Sequence, residues 1–282
     1  RLFCNSETAE NSVTVNGGKV SSIWMQNPSD GATDKNTKPV NGSVTITNGT
    51  VEALYVEPSA NFALAISGGH VEKVDTNDTA NSQEIAIATG ITGGTFGKDV
   101  SAHLANGFRC VDNGDNTYSV VPGVKLYATN MTLGTDLAIN FYYYMNSFES
   151  GKTYYAVITK HHDSTCTCGY IDTEIIIPMS EWKKNGSYYE ITASGIAARE
   201  MICDIFVTIY EGEANDDVAD LQAGSTITES VVRYVNRAYR YLENDESLTV
   251  LADMLVYGAA AQEHFNHYMV VGGNKVLATM YL

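Results

Sequence analysis

A short phrase of small residues, built around one or two glycines, recurs four times in the first hundred positions. Each copy leads into an apolar side chain. The four copies are Asn16–Val20, Asn48–Val51, Ser67–Val71 and Thr92–Phe96. Glycine at such a position permits the positive φ that a tight turn requires. Recurrence of this kind is typical of repeat architectures, in which each repeat packs only against its neighbours.

A short strand with alternating apolar residues comes before each phrase. The strands are Ser12–Val15, Val44–Thr47, Ala63–Ile66 and Glu84–Ala88. Hairpin turn sequences are missing between the early strands, and the phrases are irregularly spaced. We therefore predict a short right-handed parallel β-helix, while a flat antiparallel meander stays open as the alternative. Period-two alternation places one set of side chains inside. The residues expected there are Val15, Ile46, Leu64, Ile66, Ile85 and Ile87.

Residues 98–122 are predicted to cap this β-helix. Lys98–Leu104 is a short helical candidate with Asp99 as its N-cap. Strand-like segments flank the turn residues Asp112–Asn116, as in a hairpin. Pro122 and Gly123 then mark a boundary. The predicted domains are residues 1–122 and 123–282.

Beyond the boundary the strands become longer and richer in tyrosine. The predicted strands are Leu137–Tyr144, Tyr154–Thr159, Thr173–Ile177, Tyr188–Thr192 and Asp204–Tyr210. Their spacing indicates an antiparallel β-sandwich-like domain.

Two helices and a final strand are predicted near the C-terminus. Thr226 and Glu229 have the spacing of a capping box, with Thr226 as the N-cap of the first helix. A turn at Asn244–Ser247 leads to a second helix at Leu248–Phe265, and residues 274–282 read as a strand. The predicted fold class is thus mainly β: a short right-handed parallel β-helix followed by an antiparallel β-sandwich-like domain with a C-terminal αα-hairpin.

The charge balance argues against two classes of partner. The 282 residues include 33 acidic and 17 basic side chains, for a formal net charge of −16. Such a chain repels phosphate backbones and anionic lipid surfaces, so neither nucleic acid nor membrane insertion is expected. Only 18% of residues are charged, so Asn, Thr, Ser, Gly and Tyr must cover much of the surface. Such a neutral polar surface is common in secreted β-proteins, and we therefore expect an extracellular location. Because Arg1 rather than a methionine comes first, we also expect a truncated or processed chain.

Two pairs of segments resemble known surface proteins. The segments are Gly93–Ala102 with Gly107–Tyr118, and Leu251–Phe265 with Ser194–Met201. The first pair resembles the end of β-helical stalks in large surface proteins of gut-dwelling Gram-positive anaerobic bacteria. The second pair is similar to a module that often follows such stalks. The resemblance implies a bacterial cell-surface or secreted setting and supplies no catalytic residues to carry over. Thiols in an anaerobe's secreted protein would also explain the odd number of cysteines, which is five.

Three clusters contain residue types that bind metals, but their spacing is poor. The clusters are His161–Cys168, Asp112–Asn116 and Glu211–Asp220. Adjacent histidines on a strand face opposite sides, and Cys-x-Cys is tighter than the usual zinc spacing. The Asp–Asn turn lacks the glutamate that closes a calcium loop. We expect a hairpin loop, a turn and a solvated loop, with no metal and no cofactor.

No catalytic residues are expected. The repeats carry Glu52, Glu57, Glu72 and Asp75 without a common register, and they are too few to form a polysaccharide-cleaving cleft. The Gly-x-Ser-x-Gly elbow of serine hydrolases is absent from the sequence. The chain is therefore interpreted as a non-enzyme.

Two candidate partner surfaces remain. Exposed tyrosine rings can stack on sugars or on another protein. The candidates are Tyr142, Tyr144, Tyr154 and Tyr188. The apolar closing segment could add to an open sheet edge of a neighbouring copy. The candidate assembly residues are Val276, Leu277, Met280 and Leu282. Predicted partners are copies of the chain, or a host or dietary glycan or protein.

These observations favour a non-catalytic extracellular surface module with a structural or adhesive role, which assembles into a filament if its closing strand is open. Two alternatives stay open. One is a carbohydrate-binding module of a surface glycan-degrading protein, and the other is a carbohydrate-active enzyme.

Overall fold

A computed structural model describes most of the chain. The described residues are 11–25, 41–56, 61–75, 90–134, 136–161, 173–213, 221–241, 245–271 and 273–281. They form mainly β-structure, as predicted. The chain divides into two compact units, one of residues 1–124 with 222–225, and one of residues 125–221 with 226–282. Residues 222–225 belong to the first unit, whereas the predicted boundary places them in the second domain.

The first unit contains one six-stranded sheet. Its strands are β1 (Asn11–Met25), β2 (Asn41–Val56), β3 (Asn61–Asp75), β4 (Ile91–Phe96), β5 (Phe108–Asp112) and β6 (Tyr118–Pro122). The order across the sheet is β1-β2-β3-β4-β6-β5. Strands β1 to β4 pair in parallel, with Val15 opposite Ile46 and Ile46 opposite Ile66. The antiparallel meander is therefore wrong for these strands.

The alternation of apolar residues predicts the core of this unit. Four of the residues predicted to point inward are buried, namely Val15, Ile46, Leu64 and Ile66. Ala63 and Ala65, which alternate with Leu64 and Ile66 on β3, are exposed. The buried column continues to Ile91, which lies opposite Ile66 and is also buried. The other two residues predicted to point inward, Ile85 and Ile87, lie outside the described residues.

The glycine phrases lie within the strands rather than between them. Each of β1 to β4 runs through its phrase, and Gly18, Gly49, Gly69 and Gly94 there have φ of 75°, 91°, 77° and 99°. A Cβ built on Gly69 would lie 2.8 Å from the carbonyl oxygen of Gly49, and one on Gly49 would lie 2.8 Å from that of Gly18. The corners thus stack directly on one another, and both the backbone conformation and the close approach require glycine.

The predicted cap is a hairpin with a shorter helical segment than expected. Strand β6 pairs antiparallel with both β4 and β5. The helical candidate is reduced to a 3₁₀ turn at Ser101–His103. The Asp99 carboxylate accepts hydrogen bonds from both the backbone N and the hydroxyl of Ser101, at 2.8 and 2.6 Å, so it stabilises this turn.

The second unit contains two larger antiparallel sheets. The strands of this region are β7 (Leu126–Leu133), β8 (Leu137–Tyr144), β9 (Tyr154–His161), β10 (Thr173–Pro178), β11 (Lys183–Asn185), β12 (Tyr188–Ile196), β13 (Asp204–Glu211), β14 (Leu221–Gln222) and β15 (Ile227–Glu229). One sheet has the order β11-β12-β8-β7. The other has the order β10-β9-β13-β14, with β15 also paired to β13. All five strands predicted here are confirmed.

Two helices follow, but the first begins later than predicted. They are α1 (Val231–Tyr239) and α2 (Asp245–His264). The predicted capping box is wrong because Ile227–Glu229 is strand β15, which pairs with residues 205–207 of β13. The N-cap is Ser230, whose hydroxyl accepts a hydrogen bond from the backbone N of Arg233 at 3.2 Å. Pairing with a neighbouring strand thus overrides a local helix signal.

The closing strand is also shorter than predicted. Strand β17 (Asn274–Val276) pairs antiparallel with β16 (Met269–Val271), and residues 278–281 form a 3₁₀ turn. Val276 lies opposite Met269, and the backbone N of Ala278 donates to the side-chain oxygen of Gln262 at 2.9 Å. The predicted nine-residue strand is therefore wrong for residues 277–281, because this part of the chain folds back on its own unit.

Candidate ligand-binding face

One side of the β11-β12-β8-β7 sheet carries polar and aromatic side chains in three rows. Residues opposite one another in antiparallel strands project to the same side, and alternate residues along a strand do so too. The rows are Asn185, Tyr188 and Tyr144; Lys183, Glu190, Tyr142 and Ala128; and Thr192, Asn140 and Asn130. We call this side the tyrosine face.

Three tyrosines from three strands cluster at one end of the face. The rings of Tyr127 and Tyr188 stack with centroids 4.3 Å apart and an interplanar angle of 16°. The Tyr144 ring lies between their strands, 5.2 Å from Tyr127 and 5.3 Å from Tyr188. The Lys125 ammonium lies 5.9 Å from the centre of the Tyr144 ring, within cation–π range.

A β-bulge adds Tyr127 to this cluster. In the β7–β8 ladder, Leu126 lies opposite Tyr143 and Ala128 lies opposite Tyr142, so Tyr127 is the extra residue. Its ring is 53% exposed. The cluster thus offers an open aromatic surface rather than a closed core.

The surroundings of Tyr188 stabilise its neutral form. The pKa of Tyr188 is raised above its usual value, chiefly by loss of contact with water and then by the neighbouring Tyr127 hydroxyl. Both effects favour the neutral phenol.

A hydrogen-bond network organises the opposite end of the face. Asn140 is 5% exposed, and its Nδ2 donates to Asn130 Oδ1 at 2.6 Å and to Thr132 Oγ1 at 2.8 Å. Its Oδ1 accepts from the Thr192 hydroxyl at 2.7 Å. Asn130 in turn donates to the Tyr142 hydroxyl at 3.0 Å. The network therefore holds exposed amide and hydroxyl groups in defined orientations.

The middle row carries an ion pair. Lys183 Nζ lies 3.3 Å from the Glu190 carboxylate, which also accepts from the Asn185 amide at 3.2 Å. The charges of these two side chains offset one another.

The structure brings together only part of the predicted tyrosine surface. Tyr144 and Tyr188 touch, and Tyr142 lies one row away on the same face. The prediction is wrong for Tyr154, which is buried at 2% exposure. Its ring packs against Phe148 with centroids 5.1 Å apart, and its hydroxyl accepts a hydrogen bond from the backbone N of Glu149. Tyr127 was missed, because a bulge has no clear signature in the short alternation of residues 126–133.

The predicted assembly residues do not form one surface. Val276 pairs within its own hairpin, and Met280 is 63% exposed on the 3₁₀ turn. Leu277 is half-buried between them, and Leu282 lies outside the described residues.

Two of the three sequence clusters with metal-binding residue types are His161–Cys168 and Glu211–Asp220. Most of each cluster lies outside the described residues, which leave out 162–172 and 214–220. In the third, Asp112 and Asp115 accept backbone hydrogen bonds from Gly114 and Thr117, so these carboxylates stabilise the turn itself. Within the described ranges, no group of three or more His, Cys, Asp or Glu side chains is placed to hold a metal ion. Over the same ranges, neither helix is long and apolar enough to cross a membrane.

No protein-family model matches the chain, and no curated protein sequence matches it significantly. The resemblance to bacterial surface proteins therefore stays a prediction.

Proposed function

We propose that the chain is a non-catalytic extracellular surface module with an adhesive role, and that its second unit binds carbohydrate through the tyrosine face. The observation that carries this proposal is the exposed Tyr127–Tyr144–Tyr188 cluster beside oriented amides and hydroxyls. Aromatic rings pack against the C–H faces of sugar rings, while amides and hydroxyls pair with sugar hydroxyls. Among the functions considered, the carbohydrate-binding module thus has the most structural support.

The proposed architecture of the first unit is a short right-handed parallel β-helix, of which β1 to β4 form successive turns. Support comes from the parallel pairing, the buried column from Val15 to Ile91 and the stacked glycine corners. Such a stack of repeats is suited to a structural role at a cell surface. For the second unit we propose a β-sandwich, supported by Phe148, whose ring contacts Tyr143 of one sheet and Tyr154 of the other.

Assembly into a filament stays a prediction, but its original basis is weaker. Strand β17 has only three residues and one of its edges already pairs with β16, so little of the predicted closing strand remains to extend the sheet of another copy.

A glycan array followed by calorimetry tests the proposal. The intact chain should bind one or more neutral glycans. Tyr127→Ala and Tyr188→Ala should each weaken that binding by about tenfold or more, as expected for loss of an aromatic anchor. Tyr257→Ala is the matched control, because Tyr257 is 67% exposed and belongs to α2, which is not part of the sheet that carries the tyrosine face.

Three results would contradict the proposal. Failure of the intact chain to bind any glycan would overturn carbohydrate binding. Equal effects of the control and the face variants would show that the tyrosine face is not the site. Release of reducing sugar from a polysaccharide panel would show that the chain is an enzyme.

A further inference from the structure

We infer that the tyrosine face is an extended site for a neutral oligosaccharide that lies along strand β8, with ring stacking at one end and hydroxyl recognition at the other. This inference rests on the proposed carbohydrate binding and specifies its ligand class.

The length of the face exceeds a single sugar ring. Tyr144, Tyr142 and Asn140 are alternate residues of β8 on the same side of the sheet. At about 3.4 Å per residue, the stacking row and the amide row are about 14 Å apart. A monosaccharide can reach one of these rows but not both, whereas an oligosaccharide can occupy both together.

Asn140 determines which groups at the polar end donate and which accept. The Thr192 hydroxyl gives its only proton to Asn140 Oδ1, so it presents lone pairs to a ligand. The Thr132 hydroxyl accepts from Asn140 Nδ2, so its own proton remains to be donated. The polar end of the face therefore carries an acceptor and a donor in fixed places, a pattern that sugar hydroxyls can match because each both donates and accepts.

Asn140 is thus a positioning residue rather than a contact residue. It is 5% exposed, and both protons of its Nδ2 and its Oδ1 are engaged within the network.

The charge distribution favours a neutral ligand. Glu190 and Lys183 offset one another in the middle row, Lys125 adds one positive charge at the stacking end, and the chain as a whole carries −16. A uronate or sulfate on the ligand would meet the Glu190 carboxylate and the repulsion of the acidic chain. Binding of a neutral ligand should also be insensitive to salt, because screening acts on charged partners.

The test measures affinity by calorimetry for β-1,4-linked glucose, mannose and xylose oligomers of increasing length, and for oligogalacturonate. Affinity for at least one neutral series should rise by about tenfold or more from one sugar to the length that spans both rows. Raising the salt concentration should leave it unchanged.

Substitutions at Thr192 report on the polar end, because the residue is exposed and valine keeps the shape of its side chain while removing the hydroxyl. Thr192→Val should weaken binding of the long oligomer by about three- to tenfold, the value of one hydrogen bond, and should not affect the monosaccharide. Thr192→Ser should restore the long-oligomer affinity. Thr228→Val, at an exposed threonine on β15, is the control for a general effect of valine.

The outcomes separate the two proposals. If the array shows no binding of any glycan, both fall. If neutral glycans bind but no series gains affinity with length, or Thr192→Val has no effect on the long oligomer, only the extended site falls. Tighter, salt-sensitive binding of oligogalacturonate would overturn the neutral ligand class.

Discussion

The Cys203 sulfur lies 3.1 Å from Nε2 of His267, and both residues are buried in the second unit. The end of α2 makes this contact, because Asn266 adopts a φ of 51° and the backbone N of His267 donates back to the Gln262 carbonyl at 2.8 Å. This left-handed helix cap turns the chain inward, so that His267 enters the core.

Replacing His267 with alanine should lower the free energy of unfolding by about 2 kcal/mol, through loss of a buried hydrogen bond and creation of a cavity. Denaturant unfolding measures the change. His264→Ala is the matched control, since His264 is exposed on the same helix end. Mass spectrometry of iodoacetamide-treated protein should also show faster alkylation of Cys203 in the His267 variant. Equal stability of the two variants would exclude a structural role for the pair.

Because the Tyr143 hydroxyl is buried, we expect the fold to lose stability at high pH. Its ring is 1% exposed, and its hydroxyl has no hydrogen-bond partner within the described part of the chain. Burial raises the pKa of Tyr143 above its usual value, because the charged phenolate is poorly solvated there. The folded-state pKa thus exceeds the unfolded value of about 10, so the stability linked to this group is complete below about pH 10 and is lost as pH rises further.

Tyr143→Phe should remove part of that alkaline loss. At neutral pH it should be neutral or should stabilise the fold by about 1 kcal/mol, because it removes a buried hydroxyl without a partner. Unfolding curves at neutral and alkaline pH give both values. Tyr257→Phe, at an exposed ring, should show wild-type pH dependence. A clear loss of stability in Tyr143→Phe at neutral pH would mean that the hydroxyl is hydrogen-bonded in solution.

Two glycine substitutions separate backbone strain from close stacking in the first unit. Gly18 and Gly69 have φ of 75° and 77°, but only a Cβ on Gly69 would meet the neighbouring backbone. Gly18→Ala should therefore destabilise the unit by about 1–2 kcal/mol, from the left-handed conformation alone. Gly69→Ala should lower the free energy of unfolding clearly more than Gly18→Ala does, because the strands must also move apart. Thermal melting followed by circular dichroism compares them, and equal effects would argue against stacked corners.

The N-cap of α1 can be identified by alanine substitution. Ser230→Ala should lower the free energy of unfolding by about 1 kcal/mol, because the backbone N of Arg233 loses its hydrogen-bond acceptor at the start of the helix. Thr228→Ala, on the exposed side of β15, should change stability little. Denaturant unfolding measures both. A larger loss in helix content for Thr226→Ala than for Ser230→Ala would instead support the capping box predicted from sequence.

The sequence alone was sufficient where local geometry decides the structure. The alternation that buries Leu64 and Ile66 has the period of a strand, and the glycine phrases mark backbone positions at which φ must be positive. Five strands of the second unit were predictable for the same reason. The parallel pairing followed from the missing hairpin turns.

Tertiary structure decided the features that depend on distant partners. Thr226 and Glu229 have a helical capping pattern, yet pairing with β13 makes Ile227–Glu229 a strand. Tyr144 and Tyr154 have similar local sequences, but only the first faces solvent beside Tyr188, while the second packs against Phe148. Tyr127 joins the candidate site through a bulge that exists only in the β7–β8 pair. Whether a side chain is exposed, and which strand lies beside it, depends on segments far away in sequence, and local propensity carries no information about them.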